Sequence, residues 1–204
     1  MEKRWRRGLL VTGLLLAGLI GLVSVAPEDR TLGANTRLVY LHGAFILASL
    51  LFYGVAGVLG LVHVVGRRER AFALATTAWT AAVAANLVSL PLGLYAAKVI
   101  WGALFWGEPR FVTNFTMLLV SLLVAGVALL SSNRRGVALL YPVAAGFFAI
   151  ILRQTGRVMH PVNPIGRSDS WAIKLSFLAL LLLVLALAWE ALRPFVWPGR
   201  RSHT

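Results

Sequence analysis

The chain has no cysteine. Disulfides, thiol catalysis, cysteine-zinc sites and any thioether link to a prosthetic group are therefore excluded. Acids are nearly as scarce, with seven Asp and Glu in 204 residues against 20 Lys and Arg. Charged residues make up 13% of the chain, where an ordinary soluble domain carries about 25%. The polar surface that keeps a water-soluble globule dispersed is missing. In its place stand 59% hydrophobic residues and a mean hydropathy of +0.80. The few charges gather in short clusters between long apolar runs, which is the composition of a polytopic membrane protein. In a soluble chain the net charge of +13 would suggest nucleic acid. In a membrane chain such a charge reports the side on which each loop sits, and no nucleic-acid partner is expected.

A membrane span needs roughly 20 apolar residues to cross a hydrocarbon layer about 30 Å thick. Six stretches meet or approach that length: Gly8–Val25, Leu38–Val65, Ala71–Ala97, Phe111–Leu130, Gly136–Leu152 and Trp171–Leu192. The fifth is the shortest and covers only about 26 Å as a helix. The runs are continuously apolar rather than alternating, so membrane strands are excluded. Pro91 and Pro142 fall inside spans three and five and predict kinks there. There is no internal repeat, low-complexity segment or soluble domain. The expected architecture is a single all-α membrane domain over residues 1–204, a six-helix bundle. Span one also mimics a secretory signal, with Lys3-Arg4-Trp5-Arg6-Arg7 before the apolar run and Ser24-Val25-Ala26 after it. Its apolar run exceeds the usual 7–15 residues, and Pro27 follows the possible cut. A retained span is expected.

Cation counts orient the bundle. With the N-terminus inside, inner segments hold twelve Lys and Arg (Lys3 to Arg7, Arg67 to Arg70, Arg134, Arg135 and three in the C-terminal tail) and outer segments eight. Both termini are therefore expected on the cytoplasmic side. The outer face still pairs eight cations with only four acids, Glu28, Asp29, Glu108 and Asp169. An anionic partner at that mouth would explain the excess, as would Arg and Lys snorkelling to the phosphates of membrane lipids.

Acids are almost absent from the spans, which argues against a proton-coupled transporter or an intramembrane hydrolase. Among the four histidines, His42 opens span two at the outer surface, and His63 is 21 residues further on, about 31 Å along a helix. His63 therefore lies at the inner surface, where a packing or solvated role is expected. His203 is in the tail. His160 lies in the outer loop within Arg153-Gln-Thr-Gly-Arg157-Val-Met-His160. Two histidines on different helices can clamp a haem iron, and haem propionates suit Arg forks such as Arg110, Arg153 and Arg157. Arg37 precedes His42 by about a turn. The loop Trp101-Gly102-Ala-Leu-Phe105-Trp106-Gly107-Glu108-Pro109-Arg110 could lie against a porphyrin, or its aromatics could belong to an interfacial belt. A lone loop histidine is otherwise solvated or locally hydrogen-bonded.

In this order, these features resemble the CcmC/CcsA haem-handling proteins of cytochrome c biogenesis, CcmC most closely. Tyr40-Leu41-His42 before a long span is similar to the family's first histidine. Trp101-Gly102 through Glu108-Pro109-Arg110 resembles its tryptophan-rich "WWD" segment, with Phe105 and Gly107 at two tryptophan positions, Glu108 at the Asp and Val112 at the usual Thr. His160 is similar to the second histidine. The resemblance covers residues 35–192 and implies a protein of the bacterial inner membrane that binds haem b transiently at its outer face. His42 and His160 would be axial ligands, and Trp101, Gly102 and Trp106 would meet the macrocycle. Arg110, with Arg153 and Arg157, would meet the propionates. It further implies delivery of haem to an outer haem chaperone, in concert with an ABC-type ATPase and a second membrane subunit. No P-loop is present, so the ATPase would be a separate chain, and no catalysis is required of this one. Besides a haem-A-synthase-like enzyme, for which only two outer-face histidines speak, two other readings stay open. One is a b-type haem subunit of a membrane oxidoreductase. The other is a small transporter or structural subunit whose histidines bind nothing. Gly54, Gly57 and Gly60 offer positions for close helix contact.

Overall fold

A computed structural model of the chain describes residues 2–156 and 165–196, with side chains described over 6–156 and 165–190. Six helices account for the described chain: α1 (Glu2–Val25), α2 (Thr36–Gly66), α3 (Glu69–Trp101), α4 (Pro109–Leu130), α5 (Arg134–Gln154) and α6 (Trp171–Val196). Each contains a stretch long and apolar enough to cross a membrane. The protein is a six-span membrane protein, and an even number of crossings brings both ends of the chain to one side.

The helices outrun the apolar runs that announce them. α5 has 21 residues rather than 17 because the flanking Arg134, Arg135, Arg153 and Gln154 belong to the helix. At about 31 Å it is long enough to span. α3 continues four residues past Ala97 to Trp101. Charged and amphipathic ends extend a helix into the headgroup layer without burying charge. Pro91 and Pro142 lie within α3 and α5, as the sequence places them.

α2 is the common wall of two packed halves. On one side it meets α3 and α5, which in turn hold α4; on the other it meets α6 and α1. The first half is built on Tyr53, Trp79, Met117, Tyr141 and Phe148, all buried. Its rings meet edge to face, Tyr53 with Trp79 at 4.8 Å and with Phe148 at 4.9 Å between centroids, a favourable geometry for ring quadrupoles. Trp79 buries its indole because Nε1 donates to the Ser121 carbonyl on α4 at 3.0 Å. The second half joins Leu19 of α1, Tyr40, Ala44 and Ala48 of α2, and Leu180 and Val184 of α6. The Tyr40 hydroxyl donates to the Pro27 carbonyl at 2.9 Å and anchors the α1–α2 connection.

α1 packs on the bundle by one narrow edge, and Leu10, Leu14 and Ile20 are each about two-thirds exposed or more. In water such a surface would drive association; in a bilayer it is the lipid-facing side.

α2 and α5 approach closely at two glycines. A Cβ on Gly60 would come 2.5 Å from the Ala138 carbonyl oxygen, and one on Gly57 would come 3.2 Å from Ala145 Cβ. Gly54 meets nothing within 4 Å. Two of the three glycines singled out by spacing therefore make the contact. At the opposite end from His42, the buried His63 donates from Nδ1 to the Arg68 carbonyl at 3.1 Å. Arg67, with φ +49°, returns its N–H to the His63 carbonyl at 2.7 Å. His63 holds the α2–α3 turn and is buried, so of the packing and solvated roles it takes the packing one.

Candidate functional site

One end of the bundle gathers the start of α2, the end of α3, the start of α4 and the end of α5. His42, Trp101, Gly102, Trp106, Arg110 and Arg153 all belong to it. Arg157 and His160 lie outside the described residues, so their placement is not part of the geometry below.

His42 sits in the second turn of α2 and is half-buried. Its Nδ1 lies 2.9 Å from the Ser89 carbonyl oxygen on α3. A carbonyl only accepts, so Nδ1 carries a proton, and in a neutral ring the lone pair would then lie on Nε2. The Ser89 hydroxyl, fully buried, lies 3.1 Å from the same nitrogen and donates toward the His42 carbonyl at 3.3 Å. One turn further along α3, Gly93 forms a notch for the ring. A Cβ there would stand 2.7 Å from His42 Cε1 and 2.9 Å from Nδ1. The imidazole is thus fixed in tautomer and orientation by one face of α3, in the manner of an outer-shell partner that orients a metal-binding histidine.

The Trp101–Arg110 connection has its own local logic. Gly102 adopts φ +75° and closes α3, its N–H bonding to the Lys98 carbonyl at 3.0 Å. Lys98 Nζ donates back to the Gly102 carbonyl at 3.0 Å. A left-handed C-cap favours glycine, so Gly102 serves the turn. Glu108 caps α4: its carboxylate accepts from the Phe111 N–H at 2.7 Å, with Pro109 in the first turn. Trp101 and Trp106 present 40% and 61% of their surfaces. Trp106 stands edge-on to Phe111 at 5.4 Å. From Gly93 to Trp101 is eight residues, so the aromatic loop lies about 12 Å beyond the His42 level along α3.

The cations differ in commitment. Arg37 is paired with Glu28 at 3.1 Å, both side chains exposed. Arg110 Nε is buried and has no hydrogen-bond partner among the described residues; the same holds for Asn114 Oδ1, one turn on. Arg153 is exposed in the last turn of α5. Thr113 and Thr155 share a hydrogen bond of 2.8 Å that ties the start of α4 to the end of α5. Asp29 accepts from the Thr31 hydroxyl and from the Thr31 and Leu32 amides. These donors hold its carboxyl below the usual carboxylate range. Three of the four acids at this end, Glu28, Asp29 and Glu108, are thus engaged locally.

Ser89, Gly93 and the capping role of Glu108 were not singled out from the sequence. Glu108-Pro109 is a legible helix-start signal. Ser89 and Gly93 flank Pro91 in an apolar span, but nothing in the sequence names His42 as what they receive. Among the described residues no three His, Asp or Glu side chains converge as a metal site; a haem iron takes protein ligands only at its two axial positions. No family model matches the chain, and neither does any curated protein.

Proposed function

We propose that this chain is a haem-handling membrane protein similar to CcmC, binding haem b transiently at the His42 end and passing it on for cytochrome c maturation. The observation that carries the reading is the His42 imidazole, held through Nδ1 by the Ser89 carbonyl at the end of the bundle that also bears Trp101, Trp106, Arg110 and Arg153. The donor set fits the group in part, since a proton on Nδ1 would put the lone pair of a neutral ring on Nε2. A bound haem would supply an iron that accepts an imidazole nitrogen. His160 is the second ligand in this reading and lies outside the described residues. Ser89 and Gly93 keep the ring from rotating. The buried, unbonded Nε of Arg110 supplies a donor for a propionate, with Arg153 and Arg157 as further cations. Trp101 and Trp106 offer apolar edges to the macrocycle.

His42 is six residues inside α2, about 9 Å from its start, so haem there would sit near the rim and could leave. The site faces the outer side of the bacterial inner membrane in this reading, with both termini cytoplasmic. An outer haem chaperone receives the haem, and an ABC-type ATPase with a second membrane subunit completes the exporter. The chain itself carries out no catalysis.

A second reading is favoured by the reciprocal His42–Ser89 bonds and the Gly93 notch: the imidazole locks α2 to α3, and the chain is a structural or transport subunit without haem. The visible spectrum of the purified protein after expression with haem supplied separates the two. A Soret band with low-spin features, lost or shifted in His42→Ala and His160→Ala, supports haem handling. A colourless protein, under conditions that load a control haem protein, refutes it.

A further inference from the structure

Midway along α2, about 16 Å from His42 and 15 Å from His63, the bundle encloses polar atoms that make no hydrogen bond of good geometry among the described residues. The Tyr53 hydroxyl and both the Nδ2 and Oδ1 atoms of Asn86 are buried and have no hydrogen-bond partner among the described residues. Asn86 is fully buried and Tyr53 is 2% exposed. Asn86 and Ser121 approach the Tyr53 hydroxyl without reaching bonding geometry. The Ser121 hydroxyl gives its one proton to the Leu118 carbonyl at 2.9 Å and can only accept from a further partner, and the Ser121 carbonyl accepts Trp79 Nε1. At this depth no solvent can reach the group from the lipid side, and an amide left unpaired in such surroundings carries a heavy penalty. The turns on either side are small and buried: Ser49 and Ala56 on α2, Ala82, Ala85 and Ser89 on α3.

We infer that the middle of the bundle, between α2, α3 and α4, is an internal water site, with ordered water bridging the Tyr53 hydroxyl and the Asn86 amide. Water suits these atoms because it donates and accepts at once. Asn86 offers one donor group and one acceptor, and a phenol offers one of each. Buried waters in proteins bridge otherwise unsatisfied polar groups with two to four partners. A cation is a poor fit, since no carboxylate adjoins the site among the described residues. Asn86 and Ser89 are three apart on α3 and share a face. The site therefore continues the polar track that begins at His42, and it hydrates the bundle one turn below the residue that fixes that histidine.

Radiolytic hydroxyl footprinting of the full chain in lipid nanodiscs tests this, because radicals born from a bound water oxidise the side chain beside it. Tyr141 is the internal control: it is equally buried, and its hydroxyl is bonded to Thr76 at 3.0 Å. Tyr53 should be oxidised several-fold faster than Tyr141 in the wild-type protein. Asn86→Leu should bring Tyr53 down to the Tyr141 rate. Equal, slow labelling of both tyrosines in the wild-type protein would overturn the inference, since the core would be dry. So would unchanged labelling of Tyr53 in a folded Asn86→Leu protein. A heavier adduct than water in the native mass spectrum, displaced by Asn86→Leu, would overturn water as the occupant. The wild-type comparison decides the matter even if the variant fails to fold.

Discussion

Substituting Gly60 by alanine should destabilise the bundle, although alanine is the better helix former. Pro142 has no N–H, so the Ala138 carbonyl one turn earlier loses its usual helical donor. That oxygen instead faces Gly60 across the α2–α5 crossing, 2.5 Å from where a Cβ would stand. Ordinary carbon–oxygen contacts sit at about 3.3–3.6 Å, so the helices must part by some tenths of an ångström to about 1 Å. The obstructing atom is backbone and cannot swing aside. Overpacking of this kind costs about 1–3 kcal/mol, and the gain from replacing glycine in a helix offsets about 0.5–1 kcal/mol. The net loss is about 1–2 kcal/mol, or about 2–8 °C in Tm for a chain of this size. The assay is thermal unfolding in nanodiscs followed by tryptophan fluorescence, to which Trp79 in the adjoining core contributes. Gly54→Ala is the matched control, because Gly54 meets nothing within 4 Å, and it should be neutral or slightly stabilising. If Gly60→Ala unfolds at or above the temperature of Gly54→Ala, the close α2–α5 crossing does not exist.

At the other crossing, Gly93→Ala should lower Tm by displacing the His42 ring, and adding His42→Ala should recover part of the loss; additive losses in the double-mutant cycle would refute the notch. Glu108→Ala should cost about 1 kcal/mol through loss of the α4 cap, read as a lower Tm with the visible spectrum of any bound haem as a second channel. Arg110→Glu should weaken haem retention more than Arg67→Glu, because only Arg110 shares the His42 end; equal losses in haem content would remove the propionate role. The Asp29 carboxyl is held below its unfolded value of about 3.9, so its contribution is complete above that pH and fades as pH falls through the lower folded value. Amide exchange at Thr31 and Leu32 should therefore quicken only below about pH 4, and Asp29→Asn should abolish that dependence.

The six spans were legible because long apolar runs and scarce charge leave little alternative to helices in a bilayer. Their ends were less so. Arginines and tryptophans that mark the edge of an apolar run also continue the helix, which is why α5 gained Arg134 and Arg135 at one end and Arg153 and Gln154 at the other, and α3 reached Trp101. The glycines show the limit of periodicity: Gly54, Gly57 and Gly60 share a spacing, yet only the two facing Ala145 and Ala138 meet a helix. Which face of α2 turns toward α5 is a tertiary fact, set by Tyr53 and its ring partners on α3 and α5. At the His42 end, the residue types that could meet a haem were visible, and the carboxylate of the tryptophan-rich segment proved to be a helix cap. The Ser89–Gly93 cradle was invisible because its partner lies 47 residues away on another helix.

Those two crossings give the histidine end its character. Gly57 and Gly60 clamp α2 to α5 in the half nearer His63, while Gly93 lets α3 close on the His42 ring in the other half. α2 is thus pinned at both levels, and His42 cannot swing away from α3 without opening a helix contact and stripping its Nδ1 of the Ser89 carbonyl. A ligand at Nε2 consequently meets a ring already oriented, and binding incurs little reorganisation. The same rigidity limits how far the ring can follow a departing ligand. Affinity at this end must then depend on groups other than the His42 ring, namely the exposed Trp101–Trp106 loop and, in the haem reading, the segment carrying His160, which lies outside the described residues. If haem is handled here, its release should respond to substitutions in that loop and segment, while changes at Ser89 and Gly93 should alter the ligand field of bound haem.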